Sequence, residues 1–290
     1  MRHVAAMSTL AALLLLAQAP AAAAAPAPHE PVAEDWRMIP DDELLVMQLA
    51  GNRTVVIRLA AAYAPLHVAS IRRLAAAHWW DGLSVYRVQE NWVAQWGDPS
   101  EKKPLPPGVP ARQAPEFEIA RFAPAQTLAR PDPHSAVSGI TADGWPVASD
   151  GRGHAWLTHC YGMVNVARDA DPMTGSGAEM STPIGQSARR LDRNYALVGR
   201  IIAGMQYLSS LPRSNAPMGF YADPAERTPI VTMRLASDIP AAERPRFQYR
   251  AADNPRFAEM IRRRENPPAP TIGGGGIEVC EVPLEVRRVP

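Results

Sequence analysis

The chain has 290 residues, 47% of them hydrophobic, so one or two domains with a sizeable core are expected. Its 30 prolines and 19 glycines fall short of a disordered low-complexity composition, but that many prolines argue against long uninterrupted helices. A net charge of +1 excludes a strongly basic nucleic-acid binder and an acidic tail.

Residues 1–25 start Met-Arg-His, run apolar from Leu10 to Leu16 and end in alanines at Ala25. A basic start, a short apolar core and a small-residue end read as a secretory signal peptide; a retained anchor helix is the alternative. The apolar run is shorter than the roughly 20 residues of a membrane span, and no later run is long enough either. Arg2 is the one charged residue in the leader, so its removal leaves 29 basic and 29 acidic residues and no net charge. The expectation is an exported protein, in a bacterial periplasm, with peripheral or no membrane contact. In an oxidising compartment the isolated pair Cys160 and Cys280 favours a disulfide over two buried thiols.

Residues 26–40 are rich in Pro and Ala and read as an N-terminal tail. Residues 44–49 (LLVMQL) and 54–59 (TVVIRL) are strands joined by a turn at Gly51-Asn52, a hairpin signal. Pro65 opens a helix to about residue 78, with Val68, Ile71, Leu74 and Ala75 at helical spacing. Residues 83–88 and 93–95 are again strand-like. Residues 98–153 read mostly as loop, a length that marks an insertion or a functional segment. Strand character resumes over 156–166 and 196–202, followed by a short helix at 204–211 and a strand at 229–235. From residue 236 the composition shifts. A helix is expected over 254–264, a glycine link at 273–276, and a last β-rich segment over 277–289 that carries Cys280. Many short strands with few short helices point to a β-barrel or sandwich.

Two segments stand out. The first is Val85-Tyr86-Arg87, then Trp92, then Gln95-Trp96-Gly97-Asp98. The second runs from 162–168 to 191–199, with Ala167, Leu191-Asp192, Gly185-Gln186 and Val198-Gly199-Arg200. The first resembles the signature of the cyclophilin family of peptidyl-prolyl cis-trans isomerases: a strand, F-H-R, an aromatic five residues on, then Q-x-G-D. The preceding strand and helix are similar to cyclophilin elements in the same order. The second segment is similar to the later half of the family. The resemblance covers about residues 44–235.

The resemblance implies a closed antiparallel β-barrel capped by helices over residues 41–235, with an insertion at about 99–153 and a C-terminal extension at 236–290. It also implies roles. Arg87 would be the catalytic donor, and Gln95 would position it and the substrate. Trp92, Val93 and Leu191 would line the proline pocket, while Ala167 and Arg168 would face the peptide backbone. Glu179 stands where the family has a groove glutamine, Ser181 where it has a phenylalanine floor, and Tyr195 where it has a rim histidine. Arg190 replaces the tryptophan that favours cyclosporin, so weak cyclosporin binding is expected.

The chemistry suits these residue types. Rotation about an X-Pro bond crosses an amide-resonance barrier of roughly 18–20 kcal/mol. No nucleophile, metal or cofactor is needed; the twisted amide must be bound better than either planar form. An arginine can donate to the proline nitrogen as it becomes pyramidal, and it is charged at any working pH. Proline-containing polypeptides are the expected partners. A weakly catalytic peptide-binding chaperone on the same fold is the first alternative, and a β-barrel binder of small molecules or glycans is the second. His154 and His159 beside Cys160 match no zinc spacing, and Gly185-Gln-Ser187 lacks the last glycine of a nucleophile elbow. Cys160 and Cys280 are expected to staple the extension to the barrel.

Overall fold

A computed structural model describes residues 27–170 and 174–290. The signal peptide expected at 1–25 lies outside the described residues.

In chain order the elements are β1 (Trp36–Met38), β2 (Leu44–Leu49), β3 (Arg53–Leu59), α1 (Pro65–Ala76), β4 (Ser84–Val88) and β5 (Val93–Gly97). Then come β6 (Gln126–Thr127), β7 (Val137–Ile140), β8 (Pro146–Ser149), β9 (Ala155–Leu157), β10 (Met163–Val166) and β11 (Met180–Pro183). The chain ends with β12 (Leu197–Ala203), α2 (Met205–Ser209), β13 (Thr228–Leu235), β14 (Arg246–Arg250), α3 (Pro255–Glu265) and β15 (Val286–Val289).

Among the described residues eight strands close into an antiparallel barrel in the order β10-β11-β5-β4-β13-β2-β3-β12. The hairpin expected at Gly51-Asn52 joins β2 to β3, and both turn residues take positive φ (78° and 56°), as a tight hairpin requires. Leu45, Met47, Val55 and Ile57 point inward and are fully buried. The α1 positions Val68, Ile71, Leu74 and Ala75 and the α2 residue Leu208 join the same cluster, so both helices plug the barrel.

Outside the barrel the structure refines several expectations. The 98–153 segment is mostly loop, as expected, but it also supplies β6, β7 and β8, which pair with β9 in a four-stranded sheet. Strands of two to four residues are too short to show a period of two. The strand character expected over 156–166 resolves into two strands in different sheets: β9 in the insertion sheet and β10 in the barrel. The chain turns between them at Gly162, whose φ is 77°.

The 26–40 tail also carries structure, since β1 pairs with β14, and β14 pairs with β15 of the extension. In the stretch expected to be β-rich, Cys280 sits instead in a 3-10 turn, Val279–Glu281. That turn and α3 cover the insertion sheet, burying Phe257, Ile261, Val279 and Val282 against Leu128 and Ile140. Cys160 and Cys280 form a disulfide, as expected. It joins the β9–β10 turn to the extension beside buried Trp145, Val147 and Leu157.

Candidate active site

The β4–β5 hairpin places the first motif. Its register shifts between Val85 and Arg87, a β-bulge opposite Trp96 and Gln95. A regular strand would send Tyr86 and Arg87 to opposite faces; the bulge turns both into one cleft. Gln95 lies directly across from Arg87, and its Oε1 accepts from Arg87 Nη1 at 3.0 Å.

Arg87 is anchored at every nitrogen. Nη2 donates to Gln89 Oε1 and Nε donates to the Met218 carbonyl, each at 2.7 Å. Its guanidinium also lies 5.1 Å from the centre of the Phe220 ring. Burial lowers its proton affinity, but an arginine stays charged at any working pH.

The cleft has a volume of about 230 Å³. Arg87, Gln95, Trp92, Val93, Ala167, Arg168, Ser181, Leu191 and Tyr195 all line it. Glu179 lines an adjoining cavity of about 270 Å³ that shares Tyr86, Gln95, Ala167 and Arg168 with the cleft. All ten residues singled out from the sequence therefore converge, although they come from three strands, one 3-10 turn and three connecting loops.

The Q-x-G-D glycine has a local reason. Gly97 has φ of 147°, and a Cβ there would fall 2.1 Å from the Glu179 carboxylate. Only glycine lets that carboxylate pack over β5. Asp98, next in the motif, shapes the following turn. Burial would raise its carboxyl, but bonds from the Lys103, Ser100 and Lys102 backbone and the Ser100 hydroxyl outweigh it and hold it low.

Glu179 behaves oppositely. Burial pushes its carboxyl up to about 7, despite bonds from the Tyr86 hydroxyl (2.7 Å) and the Asp98 amide (2.5 Å). Asp98 and Glu101 add to the rise by charge repulsion.

The floor is polar. Ser181 on β11 donates to Asn165 Oδ1 on β10 at 2.6 Å, and both side chains face the cleft. Trp92 does not lie open at the rim, because the Arg190 guanidinium lies 4.5 Å from its ring centre. On the far side Arg168 donates to the Asn194 carbonyl at 2.8 Å and contacts the Tyr195 and Phe117 rings. Phe117 brings the insertion to the edge of the groove.

Residues 44–235 match the family model for cyclophilin type peptidyl-prolyl cis-trans isomerase/CLD, about two-thirds of the chain. The chain belongs to this family. Rotation about peptidyl-prolyl bonds is the activity that membership supports. Among solved structures, this cyclophilin is similar to the cyclophilin AquaCyp293 from Hirschia baltica, at 24% identity and a TM-score of 0.67. That match covers 88% of this chain and 94% of the other, so the shared fold includes more than the barrel. It is also similar to a Cryptosporidium parvum cyclophilin solved in the presence of the dipeptide Ala-Pro, at 13% identity and a TM-score of 0.42. That match covers 66% of this chain and 98% of the other. A comparison with curated proteins finds no match.

Several cleft residues carry no signal in the sequence. Met218 and Phe220 form the wall beside Arg87, and Phe220 stacks on the Tyr86 ring with centres 6.0 Å apart. They lie more than 130 positions from Arg87, in a segment with no periodicity, so no local signal marks them. The histidines considered for a metal are bound to carboxylates: His154 to Glu118 and His159 to Asp192.

Proposed function

We propose that this cyclophilin isomerises peptidyl-prolyl bonds of exported polypeptides by binding the twisted amide through Arg87. The carrying observation is the bulge-driven meeting of Arg87 and Gln95 in one cleft, with three of the guanidinium's five N–H groups spent on fixed acceptors. A guanidinium held this way loses no freedom when the proline nitrogen pyramidalises and needs a donor. The substrate backbone lies along Ala167 and Arg168, and the proline ring enters beside Val93, Leu191 and Trp92. A polar floor at Ser181 gives that ring less apolar contact than a phenylalanine would, about 1–3 kcal/mol less.

Export to an oxidising compartment, a bacterial periplasm, is part of this reading. Its support is the leader-like start of the sequence and the Cys160–Cys280 bridge.

The test is isomerisation of a proline-containing peptide by the wild type and Arg87→Ala. Loss of about 10²–10³ in kcat/KM, with the fold retained, is expected. Peptide binding without catalysis in both proteins would replace the enzyme reading with the chaperone one, which the Ser181–Asn165 floor favours.

A further inference from the structure

The groove carries two side chains that the family pattern does not have: Tyr86 in place of the histidine and Glu179 in place of the glutamine. They meet each other and Gln95. We propose that Tyr86 and Glu179 are positioning residues for the isomerisation, forming with Gln95 a hydrogen-bond relay that holds the Arg87 guanidinium in place. The inference rests on Arg87 being the donor to the substrate.

The polarity of the relay follows from donor and acceptor counts. Arginine can only donate, so the Gln95 atom facing Arg87 Nη1 is its carbonyl oxygen. The Gln95 amide nitrogen therefore faces the Tyr86 hydroxyl oxygen, at 2.6 Å, and donates to it. Tyr86 has one proton left to give, and it goes to Glu179 Oε2 at 2.7 Å. Glu179 Oε1 meanwhile accepts from the Asp98 amide at 2.5 Å. Both carboxyl oxygens face donors, an arrangement the carboxylate satisfies fully and a protonated carboxyl, one oxygen of which has become a donor, satisfies poorly. A proton on Oε2 would face the Tyr86 proton. Turning Tyr86 round would then set its hydroxyl against the Gln95 amide. The orientation of Gln95, and with it that of Arg87, is thus tied to the charge of Glu179.

That charge changes near neutral pH, because burial pushes the carboxyl up to about 7. Asp98 and Glu101 on the turn after β5 raise it further by repulsion, while the Tyr86 hydroxyl on β4 lowers it by its bond. Lys103, Arg168 and Asp169 line the same cavity. The relay is complete above this value and broken below it.

The test is kcat and KM for a proline-containing peptide from about pH 5.5 to about pH 8.5, for wild type, Tyr86→Phe and Glu179→Gln. In the wild type, kcat is expected to fall as pH drops through about 7, with KM changing less than about twofold. Tyr86→Phe breaks the relay at every pH, so kcat falls about tenfold at high pH and its profile flattens. Glu179→Gln cannot titrate, so its profile is flat whatever its level. A Glu179→Gln profile that matches the wild type overturns the relay, as does Tyr86→Phe with wild-type kcat. If Tyr86→Phe fails to fold, the shape of the Glu179→Gln profile decides alone. An active wild type that needs Arg87 but shows no change through neutral pH sinks only the relay. A wild type indifferent to Arg87→Ala sinks the reading beneath it.

Discussion

Asp132 and Arg189 meet at 2.9 Å with their side chains only 3% and 4% exposed. Asp132 belongs to the insertion, and Arg189 precedes Arg190 and Leu191 at the wall of the cleft. Arg189 also bonds Asp192 at 2.8 Å, and Asp192 accepts from the Trp156 indole and the His159 amide. The insertion therefore braces the turn that carries Leu191.

Removing one partner of a buried pair leaves the other charge poorly compensated. Asp132→Ala is expected to lower stability by about 3 kcal/mol and to raise KM for peptide more than it lowers kcat. Burial opposes ionisation of Asp132, but the bond and charge of Arg189, with bonds from the His134 amide and the Ser135 hydroxyl, together outweigh it and hold the carboxyl below its usual range. A depressed carboxyl stabilises the fold above its unfolded value and stops doing so as pH falls through the folded one. Urea unfolding at pH 7 and below pH 4 should show the difference between wild type and variant shrinking in acid.

The Cys160–Cys280 bridge closes 120 residues of sequence. Replacing both cysteines by serine is expected to cost about 2–5 kcal/mol. Thermal unfolding with and without reductant checks it: the wild type should shift with reductant and the double variant should not. Equal midpoints for all samples would show that packing alone holds the extension.

Glu179 is predicted to lower stability when ionised. Its carboxyl is raised from 4.5 to about 7, so the folded state binds the proton more tightly than the unfolded chain. The penalty is absent below about pH 4.5, grows between there and 7, and is complete above 7. Glu179→Gln should therefore be more stable than wild type at pH 8, on the order of 1–3 kcal/mol, and equal to it near pH 4. A variant less stable at pH 8 would contradict this sign. A stabilising change that harms turnover is a common exchange at functional sites.

Arg190 covers the Trp92 ring at 4.5 Å, where the family residue that favours cyclosporin is a tryptophan. Titration calorimetry should find weak cyclosporin binding. Saturation at one equivalent would show that the stacked arginine moves aside at little cost.

Much of the barrel was legible because its signals are local. The β2–β3 hairpin shows in Gly51-Asn52 between two apolar runs, and α1 in Pro65 with its 3.6-residue stripe. Arg87, Trp92 and Gln95-Trp-Gly-Asp98 sit on one hairpin, so their spacing in sequence is also their spacing in space. The ten site residues could be named for that reason, together with the family resemblance of the second segment.

Tertiary structure decided what depends on distant chain segments. The insertion sheet has strands too short for a pattern of their own, and it is stable because α3 and the Cys280 turn bury its face. Strand β1 exists because the extension offers it an edge at β14. Met218 and Phe220 reach Arg87 across more than 130 residues. Glu179 reaches Tyr86 across 93, and burial there moves its proton affinity toward neutrality. Composition was equally silent on this point: a chain of near-zero net charge still concentrates its titratable behaviour where packing removes water from one carboxylate.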